Sequence, residues 1–386
     1  MPNVLLLSSE LPPGPGGIGT HAHQVALGLD RCGWCVTLAG PQELANQQDL
    51  DTFNAGQPFE IKRLHQIGGR ASKLVYRLSA VSRVIRRVRP DVIVASGERM
   101  VWLAALLTRV HRVPFVAVGH AMEFNVPHAL HRALNRRAFE RATGIISVSR
   151  YTESRMRQLG IRTRCSLVIH NGADGSRFGL RDDVTVAAFR QRHGLESGRL
   201  LVTIGSIHER KGQDIVIRAM PGILAAHPDV HYVAVGVPYK RDQFLALARS
   251  LGVESHVHFL GVLSHEEVVQ ALNAATLFVM ASQHTRNGDF EGFGIAVVEA
   301  ALCGRAAVVS DNSGVTEAIE PGETGLVARI ADPISTANQI NELLGDSGRL
   351  EQMSRLAYER ASRGKTWTVR AAEYDRALRE ILDVRS

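Results

Sequence analysis

The sequence of 386 residues lacks the features that mark several classes of protein. Four cysteines are too few for the disulfide framework of a secreted chain of this size. No run of about 20 apolar residues is present, so the sequence predicts no transmembrane helix. The N-terminus begins with an apolar, strand-like run and has no basic segment typical of a signal peptide. Together these absences predict a globular protein of the reducing cytoplasm.

Aromatic residues are also scarce, at 5% of the chain, and no basic stretch is interleaved with them. Surfaces that bind single-stranded nucleic acid combine both features, so the composition argues against a nucleic-acid partner. Charge is unevenly distributed: residues 1–180 hold 23 Lys and Arg against 12 Asp and Glu, and the remainder holds 22 against 26. The basic first half predicts contact with an anionic surface, either a membrane leaflet or a phosphate-bearing acceptor.

One basic segment is a candidate for membrane contact. Its cationic side chains are Arg70, Lys73, Arg77, Arg83, Arg86, Arg87 and Arg89, and its apolar side chains are Leu74, Val81, Val84 and Ile85. A helix of this kind can dock peripherally on the anionic inner leaflet of a membrane. The alternative is a solvated helix face whose apolar side packs on a sheet, and the sequence leaves both interpretations open.

Short apolar runs alternate with helical patterns along the chain. The predicted strands are Val4–Ser8, Cys35–Ala39, Asp91–Ala95, Phe115–Val118, Gly144–Val148, Ser166–Ile169, Leu200–Ile204, Val230–Val235, Val257–Phe259, Leu277–Met280 and Ala306–Val309. The predicted helices include Thr20–Arg31, Lys73–Arg89, Val101–Arg112, Ala129–Arg141, Gln213–Ala226, Arg241–Leu251, His265–Ala274 and Ile295–Leu302. Buried strands that alternate with helices indicate an α/β fold with parallel sheets covered on both faces.

Two such series in sequence predict two doubly wound domains. A polar, glycine-rich stretch at residues 171–176 separates them, so we expect an N-terminal domain over residues 1–172 and a C-terminal domain over residues 173–366. Residues 367–386 have the pattern of an amphipathic helix, which we expect to pack back on the N-terminal domain. In doubly wound folds, ligands bind at the carboxyl ends of the strands.

A glycine-rich turn, Gly14-Pro15-Gly16-Gly17-Ile18-Gly19, follows the first predicted strand. Backbone N–H groups in such a strand-to-helix turn can approach a phosphate, and the helix dipole favours its negative charge. The glycines match a dinucleotide-binding pattern, but Pro15 removes a donor and no ribose-binding acid follows the second strand. We therefore expect a phosphate-facing turn and no nicotinamide site. The alternative is a tight turn that needs glycine for its dihedral angles.

Five residues beside predicted strand ends and helix starts could carry chemistry. Arg210 and Lys211 follow a strand of the second series, where two cations can neutralise a diphosphate; a solvated loop is the alternative. Glu291 and Glu299 flank a Gly-Phe-Gly turn that opens an apolar helix. Burying the Glu299 carboxylate among apolar residues costs free energy unless it binds a partner, and the paired hydroxyls of a ribose are suitable partners. The alternative is that Glu291 caps the helix and Glu299 has a structural partner within the protein. His120 ends a strand of the first series, although a lone histidine there is more often structural.

These segments, in this order, resemble glycosyltransferase family 4, whose members have the two-domain GT-B fold. The motifs that carry the resemblance are Gly16-Gly17-Ile18-Gly19-Thr20-His21, Ile169-His170-Asn171-Gly172-Ala173-Asp174, Arg210-Lys211-Gly212, Val257-His258-Phe259-Leu260-Gly261, the Glu291 and Glu299 pair, Ser313-Gly314-Val315-Thr316-Glu317 and Thr324-Gly325-Leu326-Val327. They span nearly the whole chain, and the ordered set is far more specific than any one motif. The resemblance implies two Rossmann-like domains that face each other across a cleft for sugar donor and acceptor.

The resemblance also implies roles on the side of the nucleotide sugar. Glu299 would bind the ribose hydroxyls, and Glu291 would contact the transferred sugar. Arg210 and Lys211 would stabilise the leaving diphosphate in place of a divalent metal, so no metal or other cofactor is expected. The reaction would retain the anomeric configuration, through front-face attack and not through the carboxylate pair of a glycoside hydrolase.

Further site residues are implied in the same way. His120 would contact the sugar near its reacting carbon. The remaining donor-binding residues would be Gly16, Gly17, Ser206, Gly261, Phe293, Gly294 and Ile295. The sugar acceptor, a hydroxyl compound that the sequence does not identify, would lie near Glu10, Glu98 and Glu123.

The chain departs from the family pattern at Ser206, where many members have Arg, and at Ser313, where a glycine is usual. The adjacent Arg210 and Lys211 resemble the arrangement in some lipopolysaccharide-core glucosyltransferases. The implied activity is that of a hexosyltransferase that uses a UDP- or GDP-sugar in polysaccharide, glycolipid or secondary-metabolite biosynthesis. A GT-B-fold nucleotide-sugar epimerase and a non-catalytic nucleotide-sugar-binding protein are the alternatives.

Overall fold

The computed structural model describes two compact units. One comprises Met1–Asn171 together with Trp367–Ser386, and the other comprises Gly172–Thr366. The described residues are 1–14, 16–43, 46–65, 69–125 and 128–383, without the side chains of residues 70, 71, 73 and 122.

The first unit is built on a seven-stranded parallel sheet. Its strands are β1 (Asn3–Ser8), β2 (Cys35–Gly40), β3 (Glu60–Arg63), β4 (Val92–Ser96), β5 (Phe115–Gly119), β6 (Gly144–Ser147) and β7 (Ser166–Val168). They lie in the order β3-β2-β1-β4-β5-β6-β7. Because the strand order reverses between β1 and β4, the carboxyl ends of these two strands border the topological switch point, where doubly wound folds bind ligands.

The second unit repeats this plan with six parallel strands. They are β8 (Arg199–Ile204), β9 (Val230–Val235), β10 (Val257–Gly261), β11 (Leu277–Met280), β12 (Ala307–Ser310) and β13 (Gly325–Ala328). The order is β10-β9-β8-β11-β12-β13, which places the switch point of this sheet between β8 and β11.

Helices connect the strands. They are α1 (Gly17–Arg31), α2 (Gln47–Ala55), α3 (Arg70–Val88), α4 (Glu98–His111), α5 (Ala129–Glu140), α6 (Arg150–Gln158), α7 (Asp183–Arg192), α8 (Gln213–Ala226), α9 (Arg241–Ser250), α10 (His265–Ala274), α11 (Ile295–Leu302), α12 (Pro333–Leu344), α13 (Ser347–Gly364) and α14 (Trp367–Asp383). Among the helices that the structure describes, none is long and apolar enough to cross a membrane.

The strands form because their consecutive side chains are apolar and covered on both faces. In β1, four successive residues, Val4–Leu7, are each at most 2% exposed, which requires helices above and below the sheet. Helix α14 belongs to the first unit and packs on α1. A Cβ atom at Gly28 of α1 would lie 2.1 Å from the Cβ of Ala371, so a residue without a side chain permits this close contact.

Every predicted strand is present, with its ends within two residues of the prediction. Two edge strands, β3 and β13, were not predicted. The sequence of β3, Glu-Ile-Lys-Arg, is polar and half-buried, and β13 is a four-residue strand that starts with glycine. Strand β3 therefore lacks the apolar run by which the buried strands were recognised, whereas the Gly-Leu-Val-Ala run of β13 is apolar and could have been recognised.

Candidate functional site

The cationic pair of the second unit is positioned by a sharp turn after β8. Residues Glu209–Lys211 form one turn of 3-10 helix, and Gly212 follows with φ +72°. A Cβ atom at Gly212 would lie 1.7 Å from the carbonyl oxygen of Ala281, so only glycine lets these two backbone segments approach so closely. This contact places Lys211 beside the end of β11, at the switch point of the sheet.

Arg210 and Lys211 both reach the carboxylate of Glu291. Lys211 Nζ lies 2.9 Å from Glu291 Oε2, and the Arg210 guanidinium donates a hydrogen bond to the same oxygen. Glu291 is 9% exposed. Burial alone would raise its pKa, but the charges of Lys211 and Arg210, with hydrogen bonds from Lys211 and the Gly294 N–H, outweigh burial and hold the pKa below its ordinary value. The site thus contains an ionised, partly dehydrated carboxylate with two cations.

Glu299 has a different environment, although it lies only about one turn into α11. It is half-buried, and no group in the described part of the chain hydrogen-bonds to its carboxylate. Burial raises the pKa of Glu299 to about 7; the positive charge of Lys211 opposes this increase, and the negative charge of Asp174 adds to it. The structural pairing that was the alternative for this glutamate is therefore absent from the described residues.

Two other predicted donor-binding residues lie at the same edge of the second sheet. The carbonyl oxygen of Ser206 accepts a hydrogen bond of 3.0 Å from Gln213 Nε2. The carbonyl oxygen of Gly261 accepts one of 2.7 Å from the Gly236 N–H. The first bond joins the end of β8 to the start of α8, and the second joins the ends of β9 and β10. Phe293 and Gly294 directly precede α11 and Ile295 begins it, so all three lie within four residues of Glu291 in the sequence.

The glycine-rich turn of the first unit already contains an anion, the side chain of Glu10. Its Oε1 accepts hydrogen bonds from the backbone N–H groups of Ile18 (3.0 Å) and Gly19 (3.1 Å), so it caps the start of α1. A Cβ atom at Gly16 would lie 2.2 Å from the same oxygen, whereas one at Gly17 would meet nothing within 4 Å. Two N–H groups of this turn thus bind an internal carboxylate, and the approach of a phosphate to the turn stays a prediction. Pro15 lies outside the described residues.

His120 follows β5, and side chains of two other elements contact its ring. Its Nε2 lies 2.6 Å from Ser96 Oγ, at the end of β4. Its ring meets the His21 ring edge-on, with centroids 4.7 Å apart, and His21 Nε2 lies 2.9 Å from the hydroxyl of Tyr374 on α14. Burial lowers the pKa of His120 to about 3. The pKa of His21 is also well below its ordinary value, through burial and then through His120. Both imidazoles are therefore neutral near pH 7.

Two carboxylates predicted near the sugar acceptor are engaged by the protein itself. Glu123 is 2% exposed, and its Oε2 accepts hydrogen bonds of 3.0 Å from the N–H groups of His120 and Ala121. Burial raises the pKa of Glu123 to about 7, although these backbone hydrogen bonds lower it. Glu98, at the start of α4, lies 2.8 Å from His131 Nε2. Glu123 was predicted to lie near the sugar acceptor. Its carboxylate is instead buried and caps a turn, so it is closed to an acceptor.

Ser96, His21 and Tyr374 were not among the predicted site residues. Ser96 could have been recognised as a buried polar residue at the carboxyl end of a strand beside the switch point. The contact of Tyr374 depends on how α14 packs on the first unit, which the local pattern of the sequence does not show. Among the residues that the structure describes, no group of three or more His, Cys, Asp or Glu could hold a metal ion.

Two doubly wound sheets with these residues at their switch points define the GT-B class of α/β fold. Residues 15–177 match the family model Glycosyltransferase Family 4, and residues 186–360 match Glycosyl transferases group 1. The two models together cover most of the chain, and the chain belongs to glycosyltransferase family 4. The resemblance seen in the sequence is thereby confirmed.

Relatives cover the chain from end to end. It is 26% identical over 390 residues to a GDP-mannose-dependent alpha-(1-6)-phosphatidylinositol monomannoside mannosyltransferase of Mycolicibacterium smegmatis, covering 99% of this chain and 98% of the relative. It is 26% identical over 394 residues to the glycogen synthase of Mycobacterium tuberculosis, covering 94% and 91%.

Solved structures agree on the fold. HepE of Anabaena, crystallised with UDP and glucose, has a TM-score of 0.83 at 21% identity, covering 98% of this chain and 100% of that one. WaaG, a glycosyltransferase involved in lipopolysaccharide biosynthesis, has a TM-score of 0.72 at 18% identity, covering 96% and 98%. The predicted GT-B fold is confirmed.

Proposed function

We propose that this glycosyltransferase transfers a hexose from a UDP- or GDP-linked sugar to a hydroxyl acceptor, with retention at the anomeric carbon and without a metal ion. Glu299 is the observation that carries the proposal. Its half-buried carboxylate has no partner in the described residues, yet it lies near enough to Lys211 for that charge to act on its pKa. Paired ribose hydroxyls would supply the donors that it lacks. The full-length likeness to a GDP-mannose-dependent enzyme supports testing GDP-mannose first.

Arg210 and Lys211 are proposed to stabilise the leaving diphosphate. Both cations already face Glu291, so a diphosphate oxygen would share cations that are held in place before the donor arrives. As the bond to the anomeric carbon lengthens, negative charge grows on the leaving oxygen, and preorganised cations stabilise that charge without reorganisation. A divalent ion is then unnecessary. Glu291, which orients both cations, would also contact the sugar.

Retention is proposed to follow from front-face attack. The acceptor hydroxyl would approach the face from which the diphosphate leaves, and the departing phosphate oxygen would take its proton. The sugar would pass through an oxocarbenium-like state, and the new bond would form on the same face as the old one. His120, which is neutral, would form a hydrogen bond with a sugar hydroxyl near the reacting carbon. Glu291 is ion-paired and Glu299 would hold the nucleotide, so neither would act as the nucleophile of a hydrolase pair.

A thermal-shift screen against nucleotide sugars, in the presence of EDTA, tests this proposal. We expect one UDP- or GDP-hexose to raise the melting temperature, and Glu299→Ala to abolish the shift. The matched control is Glu351→Ala, which removes an exposed carboxylate of α13 and should leave the shift intact. Loss of the shift with EDTA would contradict the metal-free mechanism. An unchanged shift in Glu299→Ala would contradict the ribose contact.

Product analysis separates the proposed glycosyltransferase from its two alternatives, a nucleotide-sugar epimerase and a non-catalytic nucleotide-sugar-binding protein. An epimerase would convert one nucleotide sugar into another without an acceptor, and a non-catalytic binding protein would give a thermal shift without any turnover. A glycosyltransferase should release the nucleoside diphosphate, slowly with water and faster with its acceptor. The release of diphosphate therefore distinguishes the proposed function from both.

We also propose that the sugar acceptor is presented at an anionic membrane, which the first unit contacts peripherally. Part of α3 does not support this, because Val81, Ile85 and Arg77 are buried in the unit; the side chains of Arg70 and Lys73 lie outside the described residues. The support comes from exposed apolar side chains on three helices that also carry exposed arginines. These side chains are Leu74 and Val75 on α3, Leu106 and Val110 on α4, and Leu130 and Leu134 on α5.

Liposome flotation tests the membrane contact. Val75 is 67% exposed, and Arg86, also exposed, lies eleven residues along α3 and so on the same helix face. We expect the protein to float with anionic vesicles at low salt and less at high salt, and Val75→Ser with Arg86→Glu to weaken flotation. Arg363→Glu, an exposed position in the second unit, is the control. Equal flotation with neutral vesicles, or no effect of the paired substitution, would contradict the proposal.

A further inference from the structure

The side chain of Ser96 is placed to control the ring of His120. Ser96 ends β4 and lies opposite Val118 of β5 in the sheet register, and His120 follows two residues later. Side chains two residues apart point to the same side of a sheet. Ser96 Oγ and His120 Nε2 are 2.6 Å apart, and Ser96 is 3% exposed. The pair is thus a buried hydrogen bond between a hydroxyl and an imidazole.

The direction of this hydrogen bond follows from counting protons. His120 is neutral near pH 7, because burial lowers its pKa to about 3, so its ring carries one proton on one of two nitrogens. Among the described residues, the only hydrogen-bond partner of Ser96 Oγ is His120 Nε2. If Nε2 carried the proton and donated it, the hydroxyl proton of Ser96 would be buried without an acceptor. A buried donor left without an acceptor costs free energy, and the opposite direction avoids that cost, so the hydroxyl donates and Nε2 accepts.

We propose that Ser96 is a positioning residue that fixes the tautomer of His120: the serine hydroxyl donates to Nε2, and the ring proton is kept on Nδ1. Nδ1 has no hydrogen-bond partner among the described residues. Nδ1–H then becomes a donor of fixed direction, available to a hydroxyl of the transferred sugar. This last step rests on the proposed function, whereas the tautomer itself does not.

Other contacts hold the rest of the residue. Glu123 Oε2 accepts from the N–H groups of His120 and Ala121, and Ala121 has φ +129°, a conformation that alanine rarely adopts. His21 packs edge-on against the ring. These contacts fix the backbone and one side of the imidazole, but neither acts on Nε2. Among the described residues, Ser96 alone determines which nitrogen carries the proton.

Nitrogen-15 NMR of histidine-labelled protein tests the tautomer directly, with the His120 signals assigned by their loss in His120→Gln. We expect a protonated Nδ1 and an unprotonated Nε2 in the wild type, and loss of this pattern in Ser96→Ala. The matched control is Ser147→Ala. Ser147 ends the neighbouring strand β6, is fully buried, and has a hydroxyl without a hydrogen-bond partner in the described part of the chain, so its removal should leave the pattern unchanged. A protonated Nε2 in the wild type, or an unchanged pattern in Ser96→Ala, would overturn the proposal.

Kinetics test the consequence for the reaction. We expect Ser96→Ala to lower kcat for release of the nucleoside diphosphate about tenfold, while the Kd for the nucleotide is unchanged and Ser96→Thr restores activity. In a His120→Ala background, Ser96→Ala should cause no further loss; the same tenfold loss there would show that Ser96 acts independently of His120. If the wild type turned over no nucleotide sugar, the proposed function would fail, and the NMR result would still decide the tautomer.

Discussion

Lys211 Nζ lies 2.9 Å from Glu291 Oε2, in an ion cluster that Arg210 completes. In the sequence, the cations and the carboxylate were predicted to have separate roles, toward the diphosphate and the sugar. The structure shows that they hold one another. A buried carboxylate keeps two cations in position before any ligand binds, and the cations keep the carboxylate ionised.

This cluster predicts a stability effect. Lys211→Met removes one of two cations from a nearly buried carboxylate, and we expect the free energy of unfolding to fall by about 2 kcal/mol. Urea denaturation measures it. The control is Lys240→Met: Lys240 pairs with Glu209 at a site where both side chains are about one-third exposed, so we expect a loss below about 1 kcal/mol. Equal losses in the two variants would show that burial does not strengthen the Lys211 pair.

The raised pKa of Glu299 predicts a pH dependence. Between pH 4.5, the ordinary pKa, and about 7, the folded state binds more protons at this carboxyl than the unfolded state does. Stability must therefore fall as pH rises through this window and become level above it. Relative to Glu299→Gln, which does not titrate, the wild type should lose on the order of 2 kcal/mol of unfolding free energy across the window. Parallel stability profiles from pH 4.5 to 8 would contradict the assignment.

The turn that positions Lys211 predicts a steric effect at Gly212. An added Cβ would lie 1.7 Å from a backbone oxygen that cannot move aside cheaply, so Gly212→Ala should cost more than about 3 kcal/mol or prevent folding of the second unit. Gly252 has nearly the same φ, +70°, but a Cβ atom added there would meet nothing within 4 Å. Gly252→Ala should therefore cost only about 1 kcal/mol, the strain of the backbone conformation. Similar melting curves for the two variants would show that the close contact is not rigid.

The glycine-rich turn predicts that its two adjacent glycines differ. Gly16→Ala should displace the Glu10 carboxylate from the N–H groups of Ile18 and Gly19 and cost about 1 kcal/mol, as loss of a helix cap does. Gly17→Ala should be neutral or slightly stabilising, because the site is open and alanine favours the helix. Thermal denaturation measures both. A larger loss in Gly17→Ala than in Gly16→Ala would contradict the capping role of Glu10.

The sequence predicted the parts of the fold that depend on local pattern. The buried strands were recognised because each is an apolar run, as in Val4–Leu7, and the family motifs indicated Glu291, Glu299, Arg210 and Lys211. The polar edge strand β3 carries no such signal, and it was missed for that reason.

Pairings between distant residues were not predictable from the pattern. That Glu10 caps α1, that Glu123 is buried under the His120 turn, and that Tyr374 reaches His21 all depend on how separate elements pack. A motif identifies a residue type that suits a ligand, but an internal partner of the same chemistry can satisfy it equally well. Glu10 and Glu123 of the first unit illustrate this, since backbone N–H groups of the protein itself donate to their carboxylates.

The most direct test of the proposed glycosyl transfer is the fate of a nucleotide hexose, with GDP-mannose first, incubated with the purified protein and EDTA. We predict slow release of the nucleoside diphosphate, with the freed sugar first appearing in the anomeric configuration of the donor. Release should be abolished by Glu299→Ala and reduced at least tenfold by His120→Ala. If no nucleotide hexose is cleaved, if cleavage requires a divalent metal, or if the sugar is released with inverted configuration, the proposed mechanism is wrong.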